Sequence, residues 1–239
     1  MEFEIFNNII SEKASKINVN LNEEQIKQFF KYMNLLIEWN EKINLTSIIE
    51  PEDIILKHFI DSLTIEKYIP KDSMVADIGT GAGFPGIPLK LARPELQMYL
   101  IDSLNKRIKF LDEVIQKDEI GQIYAIHARA EEIGHNKQFR GQFDVVTSRA
   151  VAKLNVLLEY MMPLLKIGGK CICLKGPNIK EELEEAKNAI EILGGKINKI
   201  KEITLPDSDN KRTIIEIIAV KHLPNKYPRK PGTPTNSPI

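Results

Sequence analysis

The stretch Ser73–Gly86 reads Ser-Met-Val-Ala-Asp-Ile-Gly-Thr-Gly-Ala-Gly-Phe-Pro-Gly and decides the fold of this chain. Its first part, Met74–Ile78, is a short apolar run, and such a run bounded by glycines is typical of a buried parallel strand. Gly79, Gly81 and Gly83 follow at every second position, where glycine permits a positive φ and lets a ligand approach the backbone. An apolar helical pattern comes next. The stretch therefore predicts a strand, a glycine loop and a helix that hold a small molecule at the carboxyl end of the strand.

Two kinds of ligand compete for this loop. The segment Gly81–Gly86 matches the dinucleotide pattern G-x-G-x-x-G, but the match begins after Asp77-Ile-Gly79 instead of directly at the strand end. A carboxylate at Asp77 would repel a pyrophosphate and would suit a ligand that carries an ammonium group and a sulfonium. The loop resembles motif I of the class I S-adenosylmethionine (SAM) methyltransferases, and we predict that Asp77, Gly79 and Gly81 belong to a cofactor site. A glycine-rich turn without a ligand is the remaining alternative.

Composition and charge exclude several classes of protein. The chain has 239 residues with 33 basic and 33 acidic side chains, so no overall field attracts nucleic acid and any such binding must come from local patches. The two cysteines, Cys171 and Cys173, exclude a disulfide framework, and as one pair on one strand face they favour core packing over a metal site. The N-terminus lacks the features of a signal peptide, and no apolar run is long enough to cross a bilayer. We therefore expect a soluble, cytoplasmic protein without a metal site.

Three segments of the chain differ in pattern. Residues 1–68 show helical spacing of apolar side chains, with a capping box at Asn22 and Gln25, and we expect a helical extension packed on the main domain. Residues 69–222 alternate strands and helices and end in a hairpin, which indicates an α/β domain. Residues 223–239 form a basic, proline-rich tail that we expect to be extended and flexible. One predicted helix spans Lys153–Leu165 and is closed by Gly168-Gly169. The predicted strands are Met74–Ile78, Leu96–Ile101, Gln122–His127, Phe143–Thr147, Lys170–Leu174, Lys196–Leu205 and Arg212–Lys221.

Functional side chains stand at the carboxyl ends of the predicted strands, where open α/β sheets bind ligands. Asp102 follows the second strand and is placed to accept hydrogen bonds from ribose hydroxyls, unless it only caps the next helix. Ala130 and Glu131 follow the third strand, where a backbone group and a carboxylate would meet an adenine amino group; a charged helix start is the alternative. Arg149 and Lys175 follow the fourth and fifth strands, and would orient an acceptor or a carboxylate unless they are solvated surface cations.

The end of the fourth strand is informative about the reaction. It reads Thr147-Ser-Arg-Ala150, which contains neither the Asn/Asp-Pro-Pro-aromatic motif of enzymes that methylate exocyclic amines nor the cysteine of cytosine C5 enzymes. A ring nitrogen with a free lone pair, such as guanine N7, needs no base and no covalent intermediate, so positioning and electrostatics would suffice.

His58 and Asp61 share a helix face and could form a dyad, with a packed or surface histidine as the alternative. In the tail, Arg229 and Lys230 would contact RNA phosphates, unless the tail only solubilises the protein.

Segments spread over most of the chain resemble the RsmG (GidB) family of bacterial methyltransferases, which modify guanine N7 in 16S rRNA of the small ribosomal subunit. They are Trp39–Thr46, Lys57–Leu63, Asp77–Pro88, Asp102–Arg107, Ala128–Glu131, Ser148–Ala150, Leu174–Gly176 and Tyr227–Pro234. The resemblance implies a Rossmann-like class I fold, with N-terminal helices and a seven-stranded, mostly parallel sheet that ends in an antiparallel hairpin. It also implies SAM as the cofactor and direct in-line transfer of the methyl group.

The resemblance further assigns residues and partners. It implies SAM contacts at Gly79, Phe84, Ala130, Glu131 and Arg149, with Asp102 at the ribose. On the acceptor side we infer Asn40, His58, Asp61 and Lys175. The partner would be 16S rRNA in the small subunit or its precursor, bound by a monomer without an obligate protein partner. The tail departs from the family, because it ends Asn236-Ser-Pro-Ile239 where family members carry further lysines.

Two other classes of protein stay open on the residues alone. An NAD-dependent oxidoreductase would use Gly81–Gly86, although no Tyr-x-x-x-Lys and no paired Cys/His stands at a strand end. A non-catalytic RNA-binding module would have little use for the intact glycine loop. Within the methyltransferases, a small-molecule or protein acceptor is also compatible with these residues.

Overall fold

The computed structural model describes residues 1–149 and 152–239, and Ala150 of the fourth-strand motif lies outside this part. The helices are α1 (Phe3–Lys16), α2 (Glu23–Ile43), α3 (Pro51–Ile54), α4 (Asp61–Leu63), α5 (Gly86–Ala92), α6 (Asn105–Lys117), α7 (Ala130–Ile133), α8 (Leu154–Met161), α9 (Lys180–Ile192) and α10 (Thr233–Asn236). The strands are β1 (Met74–Ile78), β2 (Gln97–Asp102), β3 (Ile123–His127), β4 (Phe143–Arg149), β5 (Leu165–Lys175), β6 (Gly195–Thr204) and β7 (Lys211–Ala219). Within the described residues, no helix combines the length and the apolar character that a membrane span requires.

The N-terminal helices form where local sequence signals predict them. The side chain of Asn22 accepts a hydrogen bond from the backbone N–H of Gln25, and the Gln25 side chain accepts one from the N–H of Asn22, so the predicted capping box starts α2. Asn44, in a left-handed conformation, ends the same helix. α3 and α4 are joined by a π-helical segment, Ile55–Ile60, which carries His58. A π-helical turn is wider than an α-helical one and is frequently found at functional sites.

A single seven-stranded sheet organises the rest of the chain, with the order β3-β2-β1-β4-β5-β7-β6. Strands β1 to β5 pair in parallel, whereas β7 pairs antiparallel with β5 and β6 antiparallel with β7. This arrangement confirms the predicted mostly parallel sheet with a terminal hairpin. The strand order reverses between β1 and β4, and ligands of open α/β sheets bind in the crevice at such a point.

Both faces of the central part of the sheet are buried, as neighbouring residues of β1 illustrate. Val75 belongs to an apolar cluster with side chains of α1, α2, α5 and α6, and Ala76 belongs to a second cluster with α8 and α9. Cys171 and Cys173 lie in the second cluster, close to the sulfur of Met161. The N-terminal helices thus share one core with the sheet. The division of the chain at residues 68 and 222 stays a prediction.

The outer strand β6 is solvent-exposed along most of its length. Lys196, Lys199 and Lys201 are exposed, and so are Ile197 (37%) and Ile200 (43%) between them. Its other side pairs with β7, so β6 forms one edge of the sheet.

The predicted helix over Lys153–Leu165 is confirmed through Met161 and wrong for its last four residues. Helix α8 ends at Met161, and a short 3₁₀ turn that contains Pro163 leads directly into β5. Proline lacks the N–H that an α-helix would use there. Gly168 and Gly169 lie inside β5, and Gly168 adopts φ +83°. A Cβ at Gly169 would lie 2.9 to 3.1 Å from three backbone oxygens, so this glycine pair permits an irregular strand instead of ending a helix.

The C-terminal tail is docked on the domain, contrary to the predicted flexible arm. Tyr227 and Pro228 are buried, and the ring of His135 lies 2.6 Å from the carbonyl oxygen of Pro228. The guanidinium of Arg140 donates hydrogen bonds to the carbonyl oxygens of Tyr227 (2.7 Å) and Pro224 (3.2 Å). A single half-buried cation thus satisfies several backbone acceptors of the tail, which gives this proline-rich segment a defined path.

Candidate functional site

A cavity of about 580 Å³ opens at the carboxyl ends of β1, β2 and β3. This is where the sequence predicts the cofactor, and the volume is within the range of small-molecule sites. The cavity combines apolar walls with carboxylates and cations. It is lined by Ile78, Gly79, Ile101, Asp102, Ser103, Arg107, Ala128, Arg129, Ala130, Glu131, Ala152 and Tyr160. The structure therefore brings four of the predicted cofactor residues together: Gly79, Asp102, Ala130 and Glu131.

Asp77 lies beneath the cavity and organises the glycine loop. Its Oδ2 accepts hydrogen bonds from Thr80 Oγ1 (2.6 Å) and from the N–H of Gly86 (2.9 Å). The carboxyl group is fully buried, and burial raises its pKa to about 7 although these hydrogen bonds oppose the rise. Asp77 is absent from the cavity lining, and its geometry assigns it to the loop rather than to a ligand. Gly81, in a left-handed conformation, also acts within the loop, since its N–H binds Asp102.

Asp102 accepts hydrogen bonds from three donors of the protein, and its contact with ribose hydroxyls stays a prediction. Its Oδ1 accepts a hydrogen bond from the N–H of Leu104 (2.9 Å) at the start of α6. Its Oδ2 accepts bonds from Gly81 N (2.9 Å) and from the guanidinium of Arg107 (3.1 Å). A diol at this carboxylate would use the remaining lone pair of Oδ1, or it would displace the Arg107 side chain, which is 33% exposed.

Arg149 and Phe84 lie in a second group, next to the glycine loop. The guanidinium of Arg149 donates to the carbonyl oxygen of Lys57 (2.9 Å) and to Nδ1 of His58 (3.0 Å), and its carbon lies 4.8 Å from the Phe84 ring centre. The His58 ring stacks on Phe84 at 4.3 Å. Burial, reinforced by the charge of Arg149, lowers the pKa of His58 to about 3. His58 is therefore neutral, with Nδ1 as acceptor.

The tautomer of His58 connects this group to the N-terminal helices. Because arginine only donates, the proton of the ring is on Nε2, which lies 2.9 Å from Thr46 Oγ1. The N–H of Thr46 in turn donates to Asn40 Oδ1 (2.8 Å). Asp61 accepts from Arg149 at 3.4 Å and from Arg212 Nε at 3.1 Å. The predicted acceptor residues Asn40, His58 and Asp61 are thus brought together around Arg149.

Lys175 lies next to the cavity wall, because it contacts Ala152, and apart from the group around Arg149. Its Nζ donates to Glu182 Oε1 (2.6 Å) and to the carbonyl oxygen of Ala152. The same Glu182 oxygen accepts from the N–H of Leu154 (2.6 Å). With only 8% of its side chain exposed, Lys175 holds the start of α8 to α9 in this arrangement. Its predicted catalytic role would require that this ion pair opens.

The predicted phosphate contact at Arg229 is not supported by the structure. Its backbone N–H, Nε and Nη2 all donate to the carboxylate of Glu159, at 2.7 to 3.1 Å. Glu159 is fully buried, so Arg229 compensates a charge inside the protein. Lys230 next to it is exposed.

Sequence reasoning missed several residues that shape the site. Tyr32 of α2 is fully buried and donates a hydrogen bond to the carbonyl oxygen of Ala82 in the glycine loop. Thr46 bridges Asn40 and His58, and it stands within the segment Trp39–Thr46 that carried part of the resemblance. Arg212, at the start of β7, has no motif around it that would have marked it.

Three features define the class I methyltransferase fold: the cavity at the carboxyl ends of β1 to β3, the glycine loop beside it, and the sheet with a terminal hairpin. Solved structures agree: a SAM-dependent methyltransferase from Aquifex aeolicus aligns with a TM-score of 0.55 at 16% identity, over 73% of this chain and 97% of that one. The TYW2 protein of M. jannaschii, solved in complex with AdoMet, aligns with a TM-score of 0.53 at 17% identity, over 68% of this chain and 76% of that one.

Within that class, the chain belongs to the GidB family, described as rRNA small subunit methyltransferase G, whose family model matches residues 25–214. The ribosomal RNA small subunit methyltransferase G of Desulforamulus reducens is 52% identical over 232 residues, which are 96% of this chain and 97% of that protein. The protein of the same name from Alkaliphilus metalliredigens is 47% identical over 233 residues, or 97% and 98% of the two chains. The family confirms the predicted resemblance and decides against a nicotinamide oxidoreductase.

Proposed function

We propose that this protein transfers a methyl group from SAM to N7 of a guanine in the 16S rRNA of the small ribosomal subunit. The observation that carries the proposal is the cavity at the ends of β1 to β3, walled by Gly79, Asp102 and Glu131 in a chain of the GidB family. The donors and acceptors of this wall fit SAM, because two carboxylates and a close backbone approach surround apolar Ile78 and Ile101. Bound SAM supplies an electrophilic methyl group on a sulfonium.

Arg149 is the residue that we assign to positioning at the acceptor side. It is fixed by Lys57, His58 and Asp61, and its side chain is only 15% exposed. A cation held in this way is pre-organised, so no reorganisation is needed when an acceptor arrives. His58 is not assigned as a general base, because its acceptor nitrogen is occupied by Arg149 and its pKa is about 3. Methylation of a ring nitrogen, which needs no base, is consistent with this site.

The RNA partner must be recognised by local features of the surface. Basic and acidic side chains are equal in number, 33 each, so long-range attraction is weak and binding is expected to depend on salt. We assign Asn40 and Lys230 to the surface that binds the RNA acceptor. We further propose that the protein acts as a monomer in the cytoplasm, on the small subunit or its precursor.

The test is transfer of labelled methyl from SAM to small subunits from a strain that lacks this gene, followed by mapping of the modified base. Gly79→Asp places a side chain at φ +67° and a carboxylate in the cavity wall, and Arg149→Ala removes the positioning cation. Asp209→Asn, at an exposed site, is the control. Methyl on a guanine N7 with wild type and the control, lost in both site variants, supports the proposal. An unmodified RNA, while SAM still binds, would mean that the acceptor is different.

A further inference from the structure

Two residues of the cavity wall are held by the C-terminal tail. Oε1 of Glu131 accepts a hydrogen bond from the backbone N–H of Gly232 (3.2 Å). The hydroxyl of Tyr160 lies 3.1 Å from Oγ1 of Thr235, at hydrogen-bond distance. Glu131 and Tyr160 both line the cavity, from α7 and α8 respectively. The tail therefore contacts the wall of the site at two side chains, Glu131 and Tyr160.

The tail is anchored next to these contacts. Arg229 binds the carboxylate of Glu159 through three donors, and Glu159 precedes Tyr160 in α8. Because Glu159 is fully buried, its charge has a large desolvation cost unless Arg229 stays in place. The short distance along the chain from Arg229 to Gly232 then brings the Gly232 N–H to Glu131. This ion pair, together with the bonds from Arg140 to the preceding residues of the tail, determines where the tail meets the cavity wall.

We infer that the segment Tyr227–Thr235 positions Glu131 and Tyr160, and thereby sets the affinity of the site for the adenosine part of its cofactor. The inference rests on the proposed function, which places an adenine at Glu131. With Oε1 bound to Gly232, the carboxylate has a fixed orientation, in which an exocyclic amino group would donate to Oε2. A carboxylate released from the tail would lose rotamer freedom on each binding event and would bind less tightly. Arg229 and Glu159 are positioning residues in this arrangement.

The decisive variant is Arg229→Ala/Glu159→Gln. The second substitution removes the buried charge that Arg229→Ala alone would leave unpaired, so the protein is expected to fold, and thermal unfolding checks this. Titration calorimetry measures binding of S-adenosylhomocysteine, the demethylated product of SAM, and of S-inosylhomocysteine, which lacks the exocyclic amino group. Accelerated trypsin cleavage after Lys226 reports that the tail has been released. The control is Ser237→Ala, at an exposed tail residue whose side chain makes no hydrogen bond in the described part of the protein.

We expect the dissociation constant for S-adenosylhomocysteine to rise by about three- to tenfold in the double variant, the effect of about one lost hydrogen bond. The preference for the adenine over the inosine compound should fall in the same variant, and this change would not result from a loss of stability alone. Tyr160→Phe and Thr235→Val should each weaken binding less, and equally, because they remove the same contact. Unchanged affinity and preference in a protein with a released tail would overturn the inference. If wild type itself binds no S-adenosylhomocysteine, the proposed function fails instead.

Discussion

Replacement of Asp77 by asparagine tests the electrostatics of the glycine loop. A pKa of about 7 in the folded protein, against the ordinary value of 3.8, means that the native state holds a proton that the unfolded chain has already released between about pH 4 and pH 7. Where the native state binds more protons, the free energy of unfolding falls as the pH rises. Asparagine cannot titrate, so the variant lacks this contribution. His58 titrates in both proteins and its effect cancels in the comparison.

The magnitude follows from the two pKa values. Integration of the proton difference from pH 5 to pH 7.5 gives about 2 to 3 kcal/mol, since each unit of pH contributes about 1.4 kcal/mol when the difference is one proton. We therefore expect the stability of the Asp77→Asn protein to rise by about 2 to 3 kcal/mol relative to wild type over this interval, whatever the difference at pH 5. The difference in stability between the two proteins at pH 5 also includes the cost of burying the asparagine amide at the position where Oδ1 of Asp77 has no partner.

Urea unfolding of both proteins without ligand, at pH 5 and at pH 7.5, measures this change. Asp209→Asn is the matched control, because its carboxylate is exposed and the gap to wild type should stay constant. A constant gap for Asp77→Asn as well would refute the reasoning, since it would mean that the buried carboxyl titrates alike in the folded and the unfolded chain.

Three further perturbations follow from contacts in the structure. Gly86→Ala would place a Cβ 2.3 Å from Leu100 Cδ2, so we expect a loss of about 1 to 3 kcal/mol in urea unfolding; wild-type stability would contradict the packing described. Asn22→Ala removes the cap of α2 and should cost about 1 kcal/mol while methyl transfer at saturating substrates is retained, and a large loss of activity would contradict the purely structural role. Arg149→Lys keeps the charge but loses the fork that reaches Lys57 and His58 together, so kcat for methyl transfer should fall by about tenfold or more; full activity would show that charge alone suffices.

Local signals explain which parts of the fold the sequence predicts. The strand, glycine loop and helix of residues 73–92 are read from residues that are neighbours in the chain, and so is the capping box of α2. Gly168-Gly169 shows the limit of such signals. A glycine pair after an apolar helix is equally compatible with a helix end and with an irregular strand, and only the pairing of β5 with β4 decides between them.

Several contacts in the site join residues that are far apart in the sequence, so no local pattern predicts them. His58 and Arg149 are 91 positions apart, and Asp61 and Arg212 are 151 apart. Each residue has several sensible partners until the fold is known, so the sequence predicts the members of the site better than their contacts. Arg229 is an example. An arginine of unknown partner in a basic tail indicates phosphate binding, whereas the same arginine paired with a buried glutamate does not.

The lysines of β6 bear on how this protein behaves at high concentration. An edge strand presents unpaired backbone groups to which the edge of another molecule can add, and repeated addition of this kind builds fibres. Two β6 edges that met would bring Lys196, Lys199 and Lys201 of both copies together, and like charges at such short range repel. Acetylation of these side chains would remove the repulsion and leave Ile197 and Ile200 at the edge. The positive charge of β6 therefore favours the colloidal stability of the protein, independently of any role in recognition.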